Sequence, residues 1–500
     1  MRERITFIQK LGDSQEPSAF KINGGVISGP EIDAVREDKL TFALDDLPSE
    51  LYTLLDDIHE LYVRWVSPVA SETVAPFLAR LPPGFHLFFT PGKEGGAVLN
   101  TLCPTLSKVF GSIECSTPAD SFTSLPSDRF SHSAALQYFQ PLEDLSRFIQ
   151  YTKDQLCSKS NSQCVARLDR LAGASSLEVS YDTISHALKI TAVWPYQRQS
   201  VYAASRPQSR TEVGVLSADI PPGLEPNELG ISGLLTVLEQ DSEPSPVVFS
   251  FASRHQDANS EFSTSFLEPT GLHPTLQIQL ESNQPPSEDA SCSAHAYLTL
   301  PRNIFADKYQ LADDLFLASK NLTALRYISQ PVDLEAPEYV MKSWGSAILL
   351  ELSPPDGEQD QSWTAEIPLH LRYLLPAKGG YESIQIPYPA VFWACTAEEG
   401  TKFPSNPFDR VNLGYDGLFG PRTVFWHVEP RPVGGNRLEN TVKVPVLDLE
   451  KSLWVNAGTA IVVLAGFTWI VWKLAAVFFL AGHGEASLRE TKSVKEKKQQ

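Results

Sequence analysis

One long apolar run near the carboxyl end constrains this chain more than any other feature. From Val455 to Gly482 the only charged side chain is Lys473, and about 20 apolar residues suffice to cross the hydrocarbon core of a bilayer. The run lacks the polar stripe of a buried core helix and lies far from the position of a signal peptide. A GPI-attachment signal would end the chain in its apolar run, whereas polar residues follow this one. The sequence therefore predicts a transmembrane helix over residues 455–481.

Charges after this helix predict its orientation. The polar residues 483–500 contain five basic side chains, namely Arg489, Lys492, Lys495, Lys497 and Lys498. Because basic residues next to a transmembrane segment favour the cytoplasmic side, we expect a cytoplasmic tail and a lumenal amino-terminal part. Residues 1–10 lack the apolar core of a signal peptide, so the late helix would act as a reverse anchor. A tail-anchored protein that faces the cytosol is the alternative.

The charge balance excludes one class of partner. The 500 residues include 41 basic and 60 acidic side chains, which gives a net charge of −19. Nucleic-acid binding requires a positive surface that displaces counterions from phosphates. We therefore expect no nucleic-acid partner, and we expect a protein, sugar or membrane partner instead.

Two features bear on the compartment. Asn321-Leu322-Thr323 is the one N-x-S/T sequon, and it predicts N-glycosylation of Asn321 if this segment is lumenal. Six cysteines allow fifteen pairings. No pairing follows from the sequence, and we expect some of the cysteines to be buried free thiols. Because no C-x-x-C pattern occurs, neither a redox pair nor a zinc knuckle is supported.

Breaks in composition predict two regions before the helix. Residues 281–291 are polar and contain two prolines, which indicates a linker. Residues 292–450 contain about seven runs with alternating or β-rich side chains and short Pro/Gly/Asp turns. The runs are 294–300, 322–329, 346–353, 363–375, 383–395, 423–428 and 441–447. No long amphipathic crossover helix separates them, so an antiparallel β-sandwich-like module is favoured.

The region before the linker, residues 1–280, is predicted to mix strands with a few helices. Strand-like runs include 85–89 and 188–194. Helical spacing of apolar residues occurs over 49–62, and again over 134–156 with an interruption at Pro141. The predicted fold class is thus mainly β, with a mixed β/α region, a β-sandwich-like module and one carboxyl-terminal transmembrane helix.

No enzymatic motif with a complete donor set occurs. His59-Glu60 begins like a zinc-protease helix, but Val63 stands where the second histidine is needed. Neither G-x-S-x-G nor G-x-G-x-x-G is present, and no two aspartates are separated by one residue, a spacing that holds divalent metals. We therefore predict no catalytic, cofactor-binding or metal-binding residue. A hydrolase or transferase whose site is not visible in the sequence remains an alternative.

Three histidines fall in predicted strands, namely His295, His370 and His427. None has a recognisable carboxylate partner by spacing, so we expect them on a wet face or in hydrogen bonds and not as general bases.

The apolar run itself contains a candidate contact site for another membrane helix. Gly458, Ala465 and Gly466 are small and would let a second helix approach closely. Lys473 either extends its ammonium group to the cytoplasmic interface or pairs with a polar group of a partner helix. We predict that these four residues contact a membrane partner.

Five ordered motifs make the carboxyl-terminal module resemble the PIG-X family, including its longer fungal form. They are AHAYLTLP (294–301), FADKYQL (305–311), DLEAP (333–337), PLHLRY (368–373) and IPYPAVFWAC (386–395). The resemblance covers about 291–449 and the following helix, and the late single helix agrees with the architecture of the family.

The resemblance implies a function. It implies a non-catalytic subunit in the endoplasmic reticulum (ER) membrane that stabilises the polytopic catalytic subunit of GPI mannosyltransferase I, which adds the first mannose in GPI-anchor biosynthesis. The family offers no catalytic residue to transfer to this chain. A general ER folding or quality-control factor is the alternative, and the role of residues 1–280 stays open.

Overall fold

The computed structural model of the protein describes residues 1–92, 98–126, 135–157, 162–206, 209–224, 227–287, 291–329, 332–357, 360–403, 406–408, 410 and 412–480. The predicted tail, residues 483–500, lies outside the described residues. Within them the chain is mainly β and ends in one long apolar helix, which confirms the predicted fold class.

Twelve strands form the first sheet. They are β1 (Arg2–Gln9), β2 (Lys21–Asn23), β3 (Val26–Ala43), β4 (Ile58–Val66), β5 (Gly84–Pro91), β6 (Thr123–Ser124), β7 (Leu136–Gln140), β8 (Ser176–Asp182), β9 (Ala187–Ala204), β10 (Arg210–Asp219), β11 (Glu228–Val237) and β12 (Ser245–Ala252). Neighbouring strands follow the order β12-β11-β10-β1-β3-β9-β8-β4-β5-β7-β6, and β2 pairs with β3. β1 and β10 run parallel.

Eight strands form the second sheet. They are β13 (His255–Phe266), β14 (Thr275–Leu280), β15 (Cys292–Pro301), β17 (Leu322–Ile328), β18 (Gly345–Leu352), β19 (Trp363–Pro368), β22 (Ala390–Thr396) and β23 (Thr423–Pro430). Their order is β17-β18-β15-β22-β23-β13-β14-β19. Two short pairs accompany this sheet, namely β16 (Ile304–Phe305) with β20 (His370–Leu371), and β21 (Tyr381–Pro387) with β24 (Glu439–Pro445).

The helices differ in part from the sequence prediction. They are α1 (Ser49–Asp56), α2 (Val98–Phe110), α3 (Pro118–Ser121), α4 (Ser146–Leu156), α5 (Ser162–Asp169), α6 (Asp314–Ala318) and α7 (Ser452–Leu480). The helix predicted over 49–62 ends at Asp56, and strand β4 begins at Ile58. The segment predicted over 134–156 forms β7 before Pro141 and α4 after it. In both segments, pairing with distant strands overrides a local helical pattern.

Strands on both sides of residues 281–291 share the second sheet, because β13 and β14 precede this segment and β15 follows it. One hydrophobic core also includes side chains from both sheets, for example Phe85 and Phe392. The chain instead divides into a unit of residues 1–373 and 383–442 and a unit of residues 374–382 and 443–500. Residues 281–291 therefore lie neither between the two sheets nor between the two compact units. A boundary between independently folding domains at these residues stays a prediction.

In the second unit, a short backbone ribbon leads into α7. Ala377 N donates to Leu447 O at 3.1 Å, and Val446 N donates to Gly380 O at 2.9 Å. Leu449 N donates to Ala377 O at 3.1 Å. These bonds fasten residues 374–382 to the segment from which the apolar helix begins.

Candidate membrane-partner site

The apolar helix α7 has the length and composition of a membrane span. Its 29 residues measure about 43 Å at 1.5 Å per residue, and a bilayer core is about 30 Å thick. Large apolar side chains along it lie open, for example Leu464 at 63% and Phe467 at 65% exposure. In the described part of the chain this is the one helix long and apolar enough to cross a membrane. It is consistent with a single-pass membrane protein.

One face of α7 carries all four residues of the predicted contact site. Relative to Gly458, the residues Ala465, Gly466 and Lys473 stand seven, eight and fifteen positions later, which at 3.6 residues per turn places the four residues within an arc of about 100° on one side of the helix. A methyl group added to Gly458 or Gly466 would meet no atom within 4 Å beyond the adjacent helix backbone. The structure thus brings the four residues onto one uncovered stripe, and their contact with a partner stays a prediction.

Lys473 contacts two aromatic rings of its own helix. Its Nζ lies 5.0 Å from the ring centroid of Trp469 and 5.2 Å from that of Trp472. Cation–π attraction at these distances holds the ammonium group beside two indoles, which are side chains that favour membrane interfaces.

Asn321 lies on the surface where α6 is followed by β17. The residue adopts a positive φ of 54°, which asparagine tolerates better than most residues. Asn321 and Thr323 are both exposed. Asn321 Nδ2 donates a hydrogen bond to Thr364 O at 2.8 Å. The sequon is therefore sterically accessible, and its glycosylation stays a prediction.

All six cysteines are paired, so the expectation of free thiols is wrong. Cys103 pairs with Cys115, Cys157 with Cys164, and Cys292 with Cys395. The third pair joins directly opposite residues of β15 and β22. Disulfides persist in oxidising compartments.

The histidines lie in hydrogen-bonded positions, as expected. His427 Nε2 lies 2.9 Å from His255 Nδ1, and burial lowers the pKa of His255 to about 3 and that of His427 well below its ordinary value. His295 Nδ1 lies 3.0 Å from Ser293 O, and burial lowers the pKa of His295 to about 4. His370 Nε2 lies 3.0 Å from Gln310 Oε1.

In the described residues no group of three or more His, Cys, Asp or Glu side chains is placed to hold a metal.

A buried ion network, which sequence reasoning missed, joins the first sheet to the segment around residue 410. Arg410 Nη2 lies 2.9 Å from Glu37 Oε2, and Arg410 Nε lies 2.8 Å from Glu178 Oε1. Arg4 approaches Glu37 at 3.2 Å, and Arg64 approaches Glu178 at 3.3 Å. We use "buried ion network" for these five residues. No local signal identifies it, because its members lie on different strands and loops.

Electrostatics in the buried ion network favour the charged forms of the central pair. Burial alone would raise the pKa of Glu37, but the attraction of Arg410 and Arg4 outweighs it and lowers that pKa below 4.5. Burial would also lower the pKa of Arg410, but Glu178 and Glu37 raise it. Glu37 therefore stays ionised although its side chain is 0% exposed.

The described residues define a class of protein. They form a mainly β protein with three disulfides and one helix long and apolar enough to cross a membrane.

Comparison with known proteins narrows that class. A family model described as PIG-X / PBN1 matches residues 269–475. The chain is 65% identical to "Protein pbn1" of Neurospora crassa and 47% identical to "Protein PBN1" of Gibberella zeae, with 100% of both chains covered in each case. It is 41% identical to "Protein pbn1" of Emericella nidulans over 95% of this chain and 96% of the relative. The protein therefore belongs to the PIG-X/PBN1 family, which confirms the resemblance seen in the sequence.

A solved structure called BspA_C_mut aligns with 89% of this chain and 98% of its own at 8% identity. Its TM-score of 0.14 is too low to show a shared fold.

Proposed function

We propose that the protein is a non-catalytic ER-membrane subunit that stabilises the catalytic subunit of GPI mannosyltransferase I. It would thereby be needed for the first mannose transfer in GPI-anchor biosynthesis. Membership of the PIG-X/PBN1 family supports an accessory role in GPI-anchor biosynthesis. The observation that carries the more specific proposal is the uncovered stripe of Gly458, Ala465, Gly466 and Lys473 on α7.

The proposed mechanism is stabilisation by binding. A subunit that binds only the folded form of its partner raises the folded fraction by mass action. In a bilayer the contact between helices depends on close packing, because lipid chains are as apolar as the side chains they replace. Small residues on α7 would permit that packing, while Lys473 would either reach the interface or pair with a polar group of the partner.

The proposed location is the ER membrane, with the amino-terminal part lumenal and the carboxyl terminus cytoplasmic. Three disulfides support an oxidising compartment for the β part of the chain. The exposed sequon at Asn321 is compatible with the same side.

A glycosidase experiment tests this orientation. We expect glycosidase treatment to increase the gel mobility of the wild-type protein, and we expect untreated Asn321→Gln to migrate like the treated wild type. Thr323→Ser keeps the acceptor pattern and is the matched control, so it should still shift. The lumenal assignment is wrong if no form shifts and protease added to intact microsomes digests the β part of the chain.

A helix-face experiment tests the function. We expect Gly466→Leu in the full-length protein to reduce co-isolation of the mannosyltransferase about tenfold, because the larger side chain prevents close approach of the partner helix. The steady-state level of the mannosyltransferase should fall, and GPI precursor without mannose should accumulate. Ala460→Leu is the matched control, because Ala460 lies about half a turn away from the centre of the stripe.

The outcomes separate the proposed function from its alternative. Equal recovery of the mannosyltransferase with Gly466→Leu and Ala460→Leu would show that the stripe is not the contact. If depletion of the protein lowers many unrelated ER proteins equally, a general folding or quality-control factor is the better description.

A further inference from the structure

A cavity of about 110 Å³ lies within the unit formed by residues 1–373 and 383–442. Its lining comes mainly from β4, from the segment between β4 and β5, and from residues 388–391 at the start of β22, with single residues of β8, β9, β13 and β23. Among the described residues that line it are three arginines, Arg64, Arg80 and Arg410, and no aspartate or glutamate. Three guanidinium groups therefore line one cavity, and two of them, Arg64 and Arg410, also pair with Glu178, which is not among the lining residues.

Two of these arginines have N–H groups that no described residue accepts. Arg64 is 5% exposed, and its Nη2 donates to Ala79 O at 3.0 Å. Its Nη1 is buried without a hydrogen-bond partner in the described part of the chain, and the same holds for Nε of Arg80. A buried donor without an acceptor costs free energy, and a guanidinium offers five donors in a fixed plane. Each of these donors belongs to a guanidinium group that lines the cavity.

The charges around the cavity also favour a bound anion. The described members of the buried ion network are three arginines, Arg4, Arg64 and Arg410, and two glutamates, Glu37 and Glu178. Lys39 lies beside this network, and its pKa is lowered mainly by burial although Glu37 opposes that effect. Arg80 has one long ion pair, 3.6 Å from Nη2 to Glu429 Oε1. Among the described residues, this buried face therefore has more positive than negative groups, whereas buried charges are normally matched.

We propose that this cavity binds an oxyanion of the phosphate class, held by the guanidinium groups of Arg64 and Arg80 with Arg410 as a further positive charge. Arginine binds phosphate oxygens through paired N–H donors. A cavity of about 110 Å³ has room for one phosphate group, either as the free ion or as the head of a monoester. The hydroxyl groups of Ser67 and Ser71 also line the cavity.

Thermal unfolding of the purified full-length protein in a non-ionic detergent tests the proposal. At constant ionic strength, we expect inorganic phosphate in about 100-fold excess over its Kd to raise the unfolding temperature by about 3 °C over sodium chloride. Glycerol 3-phosphate is the second arm. An equal shift would indicate that a monoester can occupy the site, and a shift with inorganic phosphate alone would restrict the site to the free ion. No shift with either compound overturns the proposal.

Matched variants locate the site. Arg80→Gln should abolish the shift, because Arg80 is proposed to hold the anion and is not a member of the buried ion network. Arg80→Lys should retain a part of it. Arg198→Gln removes the same charge from an exposed position, where the side chain is 64% exposed, and should leave the shift unchanged. Equilibrium dialysis with radiolabelled phosphate gives an independent measure, since the wild type should bind about one equivalent. Failure of the wild type to bind rejects the site whatever the variants do.

Discussion

Replacing Cys292 and Cys395 together by alanine is expected to lower the free energy of unfolding by about 4 to 5 kcal/mol. The disulfide closes a loop with a sequence separation of 103 residues, and a loop of that length removes much of the conformational freedom of the unfolded chain. The bond also joins neighbouring strands of the second sheet, so its loss removes a constraint between β15 and β22. Denaturant unfolding under non-reducing conditions, followed by tryptophan fluorescence, measures the change.

The disulfide between Cys157 and Cys164 provides a matched control. Its sequence separation is only 7 residues, and the same loop-entropy relation gives about 2 kcal/mol for its removal. The two double-alanine variants should therefore differ by roughly a factor of two in lost stability. Equal losses in both variants would show that closure of the long loop is not what makes Cys292–Cys395 stabilising.

These disulfides show what a single sequence withholds. Cys292 and Cys395 are far apart in the chain, and they meet only because β15 and β22 are neighbours in the sheet. Neither spacing nor composition identifies that neighbourhood, so fifteen pairings stay open until strand order is known. The even number of cysteines was compatible with full pairing, but it did not require it.

Local periodicity predicts an element well when one pattern alone fits it. The alternation at Val442 and Val444 places both on a buried face, as observed. The apolar run of α7 leaves no alternative to a helix long enough to cross a membrane, and its predicted contact residues rest on small side chains about two turns apart and on its single lysine. Residues 58–62 differ, because their apolar positions fit a helix and a strand, and pairing of β4 with β5 and β8 decides for the strand.

The buried ion network could not be predicted from any local sequence pattern. Each member resembles an ordinary charged residue on the wet face of a strand or in a loop, and Glu37 is separated from Arg410 by 373 residues. Burial of these charges depends on how distant segments pack, which no local pattern contains. The candidate oxyanion cavity was beyond sequence reasoning for the same reason.

We expect Arg410→Met to lower the free energy of unfolding at neutral pH by about 3 to 5 kcal/mol. The substitution leaves Glu37 buried without its main partner. It also removes one of the two arginines that pair with Glu178, so that only the Arg64 pair of the buried ion network is left there. Breaking a buried ion pair is costly because the remaining charge keeps its desolvation penalty. Arg431→Met is the control, because Arg431 is 67% exposed and pairs with Glu261 at the surface. A surface pair of this kind is worth about 1 kcal/mol or less.

The pH dependence distinguishes a lost ion pair from simple loss of packing. In the wild type the folded-state pKa of Glu37 lies below 4.5, so its stabilising contribution is present above pH 4.5 and is lost as pH falls through the folded value. In Arg410→Met, the attraction that opposes the effect of burial on Glu37 is weaker. We therefore expect the folded-state pKa of Glu37 to rise above 4.5. The destabilisation should then be largest at neutral pH and should decrease as acid protonates Glu37.

A double variant removes the charge that Arg410→Met leaves behind. In Glu37→Gln/Arg410→Met, the unfolding free energy at neutral pH should exceed that of Arg410→Met alone, and the difference between these two variants should shrink towards pH 4. If the double variant is less stable than the single variant at every pH, Glu37 is not an uncompensated charge. The cost of losing Arg410 would then come from packing against Phe77, whose ring centroid lies 5.7 Å from the guanidinium carbon.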